Sequence, residues 1–244
     1  MPHRVLPRPG ALYLIPTLLG GTDPTAVLPP RTLALTRELR RFVVENAKSA
    51  RAFLKLVEMP LPLAELDLQE LNEHTPEAAI AGLLAPALAG EPLGLLSEAG
   101  CPAVADPGAR LIAIAHTRGL AVVPMVGPSS ILLGLMASGL NGQAFVFHGY
   151  LPTKPPERIA ALRRVEEAAW KNGATQGFIE TPYRNVALLE ALCATCRKET
   201  LLCVAADLTL DSESVRTKTI GAWTRESLTN YAKRPAIFFL GQPA

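Results

Sequence analysis

Short apolar runs alternate with stretches of helical spacing through the first half of the chain. Ala11–Pro16 (ALYLIP), Phe42–Glu45 (FVVE), Glu65–Glu70, Leu93–Leu96 (LGLL) and Ala121–Val126 (AVVPMV) predict five strands. Arg31–Arg40, Pro76–Ala89 and Pro107–Arg118 predict the helices between them. A proline near a helix start fits, because the N–H it lacks had no helical partner there. Apolar strands separated by helices imply a parallel sheet covered on both faces.

The second half changes style. Strand Ala144–Gly149 leads through Leu151–Pro156 into a charged amphipathic helix, Glu157–Trp170. Gln176–Glu180, a helix from Pro182, and strands Leu201–Ala206, Thr217–Gly221 and Ala236–Leu240 complete the pattern. Three strands with so little helix between them predict antiparallel neighbours and a mixed sheet. The fold class is therefore α/β, as two α/β/α domains over residues 1–125 and 126–244. Ligands of such sheets lie beyond the carboxyl ends of the strands.

Composition narrows the field. Of 244 residues, 49% are apolar and 19% charged, which excludes disorder, collagen and coiled coil. The 22 prolines exceed an average share of roughly 12, whereas the 18 glycines do not. A formal charge of +2 announces no nucleic-acid partner by itself. The charge is uneven, however. Arg31–Lys55 carries seven basic residues against Glu38 and Glu45, and Glu58–Asp106 carries nine acidic residues without a lysine or arginine. That contrast reads either as an RNA-facing edge or as two solvated surfaces.

No apolar leader follows MPHRVLPRPG, and the charge-free stretch Gly119–Thr153 is interrupted by Pro124, Gly127-Pro128 and Asn141. The expectation is a cytoplasmic protein with no membrane partner. Cys193-Ala-Thr-Cys196 has the spacing of a zinc knuckle or redox pair, but no second pair accompanies it. It reads as the end of a core helix, with no metal.

Five loops follow predicted strands. Pro16–Pro24 is glycine-rich, yet it has neither the dinucleotide spacing G-x-G-x-x-G nor a phosphate loop. Ser97–Gly108 (SEAGCPAVADPG) is stiffened by proline and opened by glycine, and Asp106 suits a helix cap. Val126-Gly127-Pro128-Ser129-Ser130 leads into a helix start, where free N–H groups favour an anion. Phe178–Arg184 and Ala205–Thr209 are the last two.

Taken in order, these loops resemble the tetrapyrrole methylase-like S-adenosylmethionine methyltransferases. The resemblance is to the bacterial small-subunit ribosomal RNA cytidine 2′-O-ribose methyltransferase branch in particular. It rests on Ser97–Gly108, Gly127–Ser130, Leu151-Pro152-Thr153-Lys154, Glu180–Arg184, Ala205–Thr209 and Asn72-Glu73-His74, and covers residues 11–241. Departures are Glu45-Asn46-Ala47-Lys48 for Glu-Asp-Thr-Arg, and Glu98 and Cys101 for Asp and Thr. Tyr183 stands for His, and Ala206-Asp207 for Arg-Glu. On this reading the chain ends at Ala244 without the branch's small C-terminal extension.

The resemblance implies S-adenosylmethionine in a cleft between two α/β domains. It would be touched by Pro16, Glu98, Ala99, Gly100, Cys101, Val104, Ser129, Ser130, Ile179, Ala206, Pro235 and Ala236. Asp106, Glu180, Arg184 and Asp207 are the candidates for acceptor chemistry. Methyl transfer needs alignment of nucleophile, carbon and leaving sulfur rather than a catalytic nucleophile. The leading expectation is ribose 2′-O-methylation of ribosomal RNA by a homodimer. A methyltransferase for a porphyrinoid or corrinoid, and a silent cofactor-binding protein, are the alternatives.

Overall fold

A computed structural model describes residues 6–223 and 225–243, with only the backbone of Arg225 and Glu226. Two compact units divide between Ser129 and Ser130.

The first unit is built on five parallel strands: β1 (Leu12–Ile15), β2 (Arg41–Val44), β3 (Asp67–Glu70), β4 (Leu93–Leu96) and β5 (Val122–Pro124). Their order is β3-β2-β4-β1-β5, with every pair parallel. After β1 the chain leaves toward β2, and after β4 it crosses toward β5 on the other side. The β1/β4 pair is therefore the topological switch point, where loops part and leave a ligand crevice. Pro124 is tolerated because β5 is an edge strand.

The helices of this unit are α1 (Pro30–Glu38), α2 (Ala47–Leu56), α3 (Glu77–Ile80), α4 (Ala85–Leu88) and α5 (Gly108–Thr117). The sequence pattern assigns no element to Ala47–Leu56, most of which lies in the basic stretch Arg31–Lys55. Asn46 caps this helix, its Oδ1 accepting from Lys48 N (2.8 Å) and Ser49 N (3.2 Å). Phe53, Leu54 and Val57 then bury one face. The single helix predicted over Pro76–Ala89 is broken into α3, a 3-10 turn (Ala81–Leu84) and α4. Pro86 lacks the N–H that would join the last turn to the ones before it.

The second unit orders its strands β6-β7-β10-β8-β9. They are β6 (Phe145–Tyr150), β7 (Thr175–Ile179), β8 (Leu201–Ala206), β9 (Ser214–Thr219) and β10 (Ala236–Gly241). Only β6 and β7 are parallel; β7–β10, β10–β8 and β8–β9 are antiparallel, so the sheet is mixed as expected. β9 begins three residues before the strand read from the sequence, pairing Ser214 with Ala206.

Helices α6 (Ser130–Ser138), α7 (Pro155–Asn172), α8 (Asn185–Thr195) and α9 (Arg225–Thr229) complete this unit. α7 carries its own start and stop: Pro155 and Glu157 in the first turn, Lys171 in the last, and Gly173 at φ 63° closing it. Its core holds Phe178 stacked on Phe238 with ring centroids 5.9 Å apart, both fully buried. Each such ring contributes roughly 2–3 kcal/mol of apolar burial.

The cysteine pair sits where the core reading put it. Cys196 packs into this cluster with Cys193 against it, and burial pushes the Cys196 thiol up to about 12. No helix among the described residues is long and apolar enough to cross a membrane.

Candidate functional site

In the first unit the loops after β1, β4 and β5 are tied together by short contacts. Thr17 N donates to Gly100 O at 2.9 Å, Thr17 Oγ1 to Ser97 O at 3.3 Å, and Ser97 Oγ to Gly100 O at 2.9 Å. The Cys101 thiol reaches Pro128 O at 3.5 Å. A Cβ on Gly127 would stand 2.4 Å from the Pro16 ring, so only glycine lets these two loops approach so closely. Pro16, Gly100 and Cys101 are thus brought together beside Gly127-Pro128.

The Ser97–Gly108 loop holds an unusual backbone. Gly100 has φ 72°, and Ala103 and Ala105 have φ 65° and 61°, a region that L-residues with a Cβ rarely adopt. Asp106 sustains it: one oxygen accepts from Ala103 N at 2.7 Å and from Gly108 N at 2.8 Å. Val104, held between the two left-handed alanines, is 46% exposed. Strain kept by dedicated hydrogen bonds marks a loop whose shape matters.

Beside this loop lies a cavity of about 690 Å³, lined by Glu45, Asn46, Asn72, Glu73, His74, Glu98, Ala105, Asp106 and Pro107. It is acidic. Burial raises the Glu45 carboxyl, and Glu98, Asp106 and Glu73 add to the shift; burial also raises Asp106. Glu98 accepts from Ser49 Oγ at 3.1 Å, and His74 stands 3.6 Å from Glu73. Of the basic stretch Arg31–Lys55, two members are taken up by acidic partners. Arg37 pairs with Glu58 at 3.6 Å, and Arg41 with Asp67 (2.8 Å) and Glu91 (2.6 Å).

In the second unit the candidate contacts meet at one end of three neighbouring strands. Ala236 pairs with Ala206, Ile237 pairs with Ile179, and Asp207 N donates to Pro235 O at 2.9 Å. Ser130 is the first residue of α6, and Ser129 immediately precedes it.

The two carboxylates here are pinned by arginines. Glu180, its side chain 2% exposed, accepts from Arg184 Nε (2.9 Å), Arg184 Nη2 (2.6 Å) and Thr181 N (2.7 Å). Asp207 accepts from Arg234 Nε at 2.7 Å and Ser212 Oγ at 2.9 Å. Arg234 Nη2 also donates to Ser212 O (2.6 Å) and Ser214 Oγ (3.1 Å). Asn185 ties the same region down, donating to Tyr231 O at 3.1 Å and Arg234 O at 2.7 Å.

Arg234 and Asn185 escaped the sequence reading. The Glu180–Arg184 pair has the i,i+4 spacing that a sequence displays. The Asp207–Arg234 pair depends on the register of β8 against β10, which local spacing does not carry.

The donor set of the first unit suits S-adenosylmethionine. Carboxylates with no lysine or arginine among the cavity's lining residues fit a sulfonium, an ammonium and ribose hydroxyls; burial raises the Glu45 carboxyl first, and its acidic neighbours add to it.

The whole chain shares its fold with solved methyltransferases. It matches the methyltransferase CobJ with a TM-score of 0.63 at 19% identity, over 96% of this chain and 95% of that one. It matches the cobalt precorrin-4 methyltransferase CbiF at 0.60 and 14%, over 97% and 98%. No protein-family model matches the chain. The chain is thus similar in fold to these methyltransferases, and its relatives in sequence carry a methyltransferase name as well.

Three relatives in sequence share one name, Ribosomal RNA small subunit methyltransferase I. The protein of Mesorhizobium japonicum is 37% identical over 62% of this chain and 50% of its own length. That of Micromonospora olivasterospora is 33% identical over 84% and 61%. That of Xylella fastidiosa is 27% identical over 95% and 81%. The matched region thus spans half to about four-fifths of these relatives.

Proposed function

We propose that this chain is an S-adenosylmethionine-dependent methyltransferase acting on small-subunit ribosomal RNA, and that the acceptor is a ribose 2′-hydroxyl. The carrying observation is the shared name of relatives aligned over as much as 95% of the chain. The strained, acid-lined loop at the β1/β4 switch point gives that name a physical seat.

When bound, S-adenosylmethionine supplies an electrophilic methyl group on a sulfonium sulfur. In this reading the residues that would hold it are Pro16, the Glu98–Cys101 backbone, Val104, Ser129, Ser130, Ile179, Ala206, Pro235 and Ala236. Much of this contact is through backbone, so side chains such as Cys101 and Ala206 can differ from the family pattern without loss. Asp106 keeps the first loop in shape. Glu180 and Asp207 act through the arginines they pin. Arg184, with its side chain 41% exposed and its guanidinium favoured in the charged state by Glu180, is the group that meets the acceptor. A fixed cation there favours the developing alkoxide.

The functional form in this reading is a cytoplasmic homodimer. Four free cysteines suit a reducing compartment. Helix α6 is apolar on most sides, with Leu132 53% and Met136 79% exposed, as a face covered by a second copy would be. Light scattering reads the mass directly.

Transfer of a tritiated methyl group from S-adenosylmethionine to deproteinised small-subunit ribosomal RNA tests the reaction. Ribose methylation leaves alkali-resistant dinucleotides carrying the label. Label found only in a tetrapyrrole fraction, or tight cofactor binding with no transfer at all, overturns the proposal.

A further inference from the structure

Two large aromatic rings face solvent where the parallel pair β6–β7 ends. Tyr150 closes β6 in register with Ile179 and is 55% exposed. Tyr183, in the 3-10 turn Pro182–Arg184 that follows β7, is 83% exposed. Tyrosine normally buries its ring and offers its hydroxyl, so two rings left open at one strand end call for a ligand with a flat face.

The ground around them is cationic. Arg184 binds the buried Glu180 through Nε and Nη2, while Nη1 takes no part in that pair. Tyr150 lies near enough to Arg184 to favour its charged form. Lys154 is 78% exposed, with Glu157 at a loose 3.8 Å. Lys233 N donates to Pro182 O at 3.0 Å, which sets a third exposed cation beside the turn. Glu180 and Asp207 are buried, whereas Arg184 and Lys154 reach solvent, and Glu157 is the exposed carboxylate beside Lys154. The loop itself is stiff, because buried Arg158 donates through Nε to Pro152 O (3.2 Å) and through Nη2 to Thr153 O.

We propose that this edge is a stacking platform for an unpaired nucleotide of RNA, with Tyr183 and Tyr150 taking base faces and Lys154 and Lys233 taking flanking phosphates. Single-stranded RNA is read in this way, by aromatic stacking beside a positive track. The inference rests on the RNA reading above and adds which surface meets the RNA.

The experiment uses the full chain and fluorescence anisotropy. The probes are a labelled single-stranded oligonucleotide of small-subunit ribosomal RNA sequence and its duplex. Tyr183→Ala is expected to weaken single-strand binding by about tenfold or more, the worth of a stacked base. Tyr183→Phe keeps the ring and stays near wild type, and Tyr150→Ala adds to the loss. Melting temperature and S-adenosylmethionine affinity stay unchanged in all three. The platform is overturned if Y150A/Y183A binds RNA as tightly as wild type, if wild type prefers the duplex, or if cofactor affinity falls in step. Wild type that transfers methyl to RNA while Y150A/Y183A binds normally sinks the platform alone. Wild type that neither binds nor methylates RNA sinks the functional reading with it.

Discussion

The strand ends of the first sheet carry Glu45, Glu73, Glu98 and Asp106 around one cavity, and their partners are a serine hydroxyl, a histidine and backbone N–H groups. The strand ends of the second sheet carry Glu180 and Asp207, each buried and each gripped by an arginine. Both edges therefore hold carboxylates, but one keeps its negative charge for a ligand and the other uses it internally. A cationic cofactor fits the first edge. The second presents what its carboxylates anchor: guanidinium, lysine and tyrosine, a surface for an anion with flat faces.

The largest test of that contrast removes the group that shapes the acidic edge. Asp106→Ala strips the acceptor from two part-buried N–H groups and releases two left-handed alanines, costing about 1–3 kcal/mol of stability. Cofactor affinity should fall at least about tenfold with it, since backbone geometry is lost. Asp106→Asn keeps the acceptor oxygen and should retain most binding in calorimetry. An Asn variant that binds cofactor normally but transfers no methyl would instead assign Asp106 a proton-handling role.

Next comes the pinned edge. Arg234→Ala leaves Asp207, its side chain 10% exposed, without its cation, at a cost of about 2 kcal/mol. Asp207→Ala should cost less, because Arg234 keeps Ser212 O and Ser214 Oγ and can turn toward water. Equal losses in thermal unfolding would mean the pair is merely a surface contact.

These two edges were unequally legible in the sequence. The acidic edge depends on loops that follow apolar strands directly, so Ser97–Gly108 and Gly127–Ser130 could be read from local pattern alone. Glu180 and Arg184 lie four residues apart and are readable as a pair. Arg234 was not, because 27 residues separate it from Asp207 and only the β8–β10 register joins them. The basic run Arg31–Lys55 reads from sequence as either an RNA-facing edge or a solvated surface. Arg37 and Arg41 find Glu58, Asp67 and Glu91 on elements distant in sequence, so a charge count overstated the free positive surface.

A milder perturbation asks whether the acidic edge is under electrostatic strain without its ligand. The folded state raises the Glu45 carboxyl above its ordinary value of 4.5. The folded chain then binds that proton more tightly than the unfolded chain, so stability falls as pH rises through the window above 4.5. Glu45→Gln should therefore raise Tm at pH 7, by about 1–2 °C for a chain of this size, and lose its advantage near pH 4. Saturating S-adenosylmethionine should shrink the gain, because a bound cation already relieves the repulsion.

The smallest effect belongs to the rim of the cationic edge. Lys154 is 78% exposed and its contact with Glu157 is long, so Lys154→Ala should leave Tm unchanged within the scatter of surface substitutions. If Lys154 meets a phosphate, RNA affinity at low salt should fall a few-fold and the slope of log affinity against log salt should drop by about 1. Lys48→Ala, an exposed substitution on α2 of the acidic unit, is the control and should leave that slope alone. The same slope change in both variants would mean that RNA answers to net charge. In that case the separation of the two edges into cofactor side and RNA side has no basis in binding.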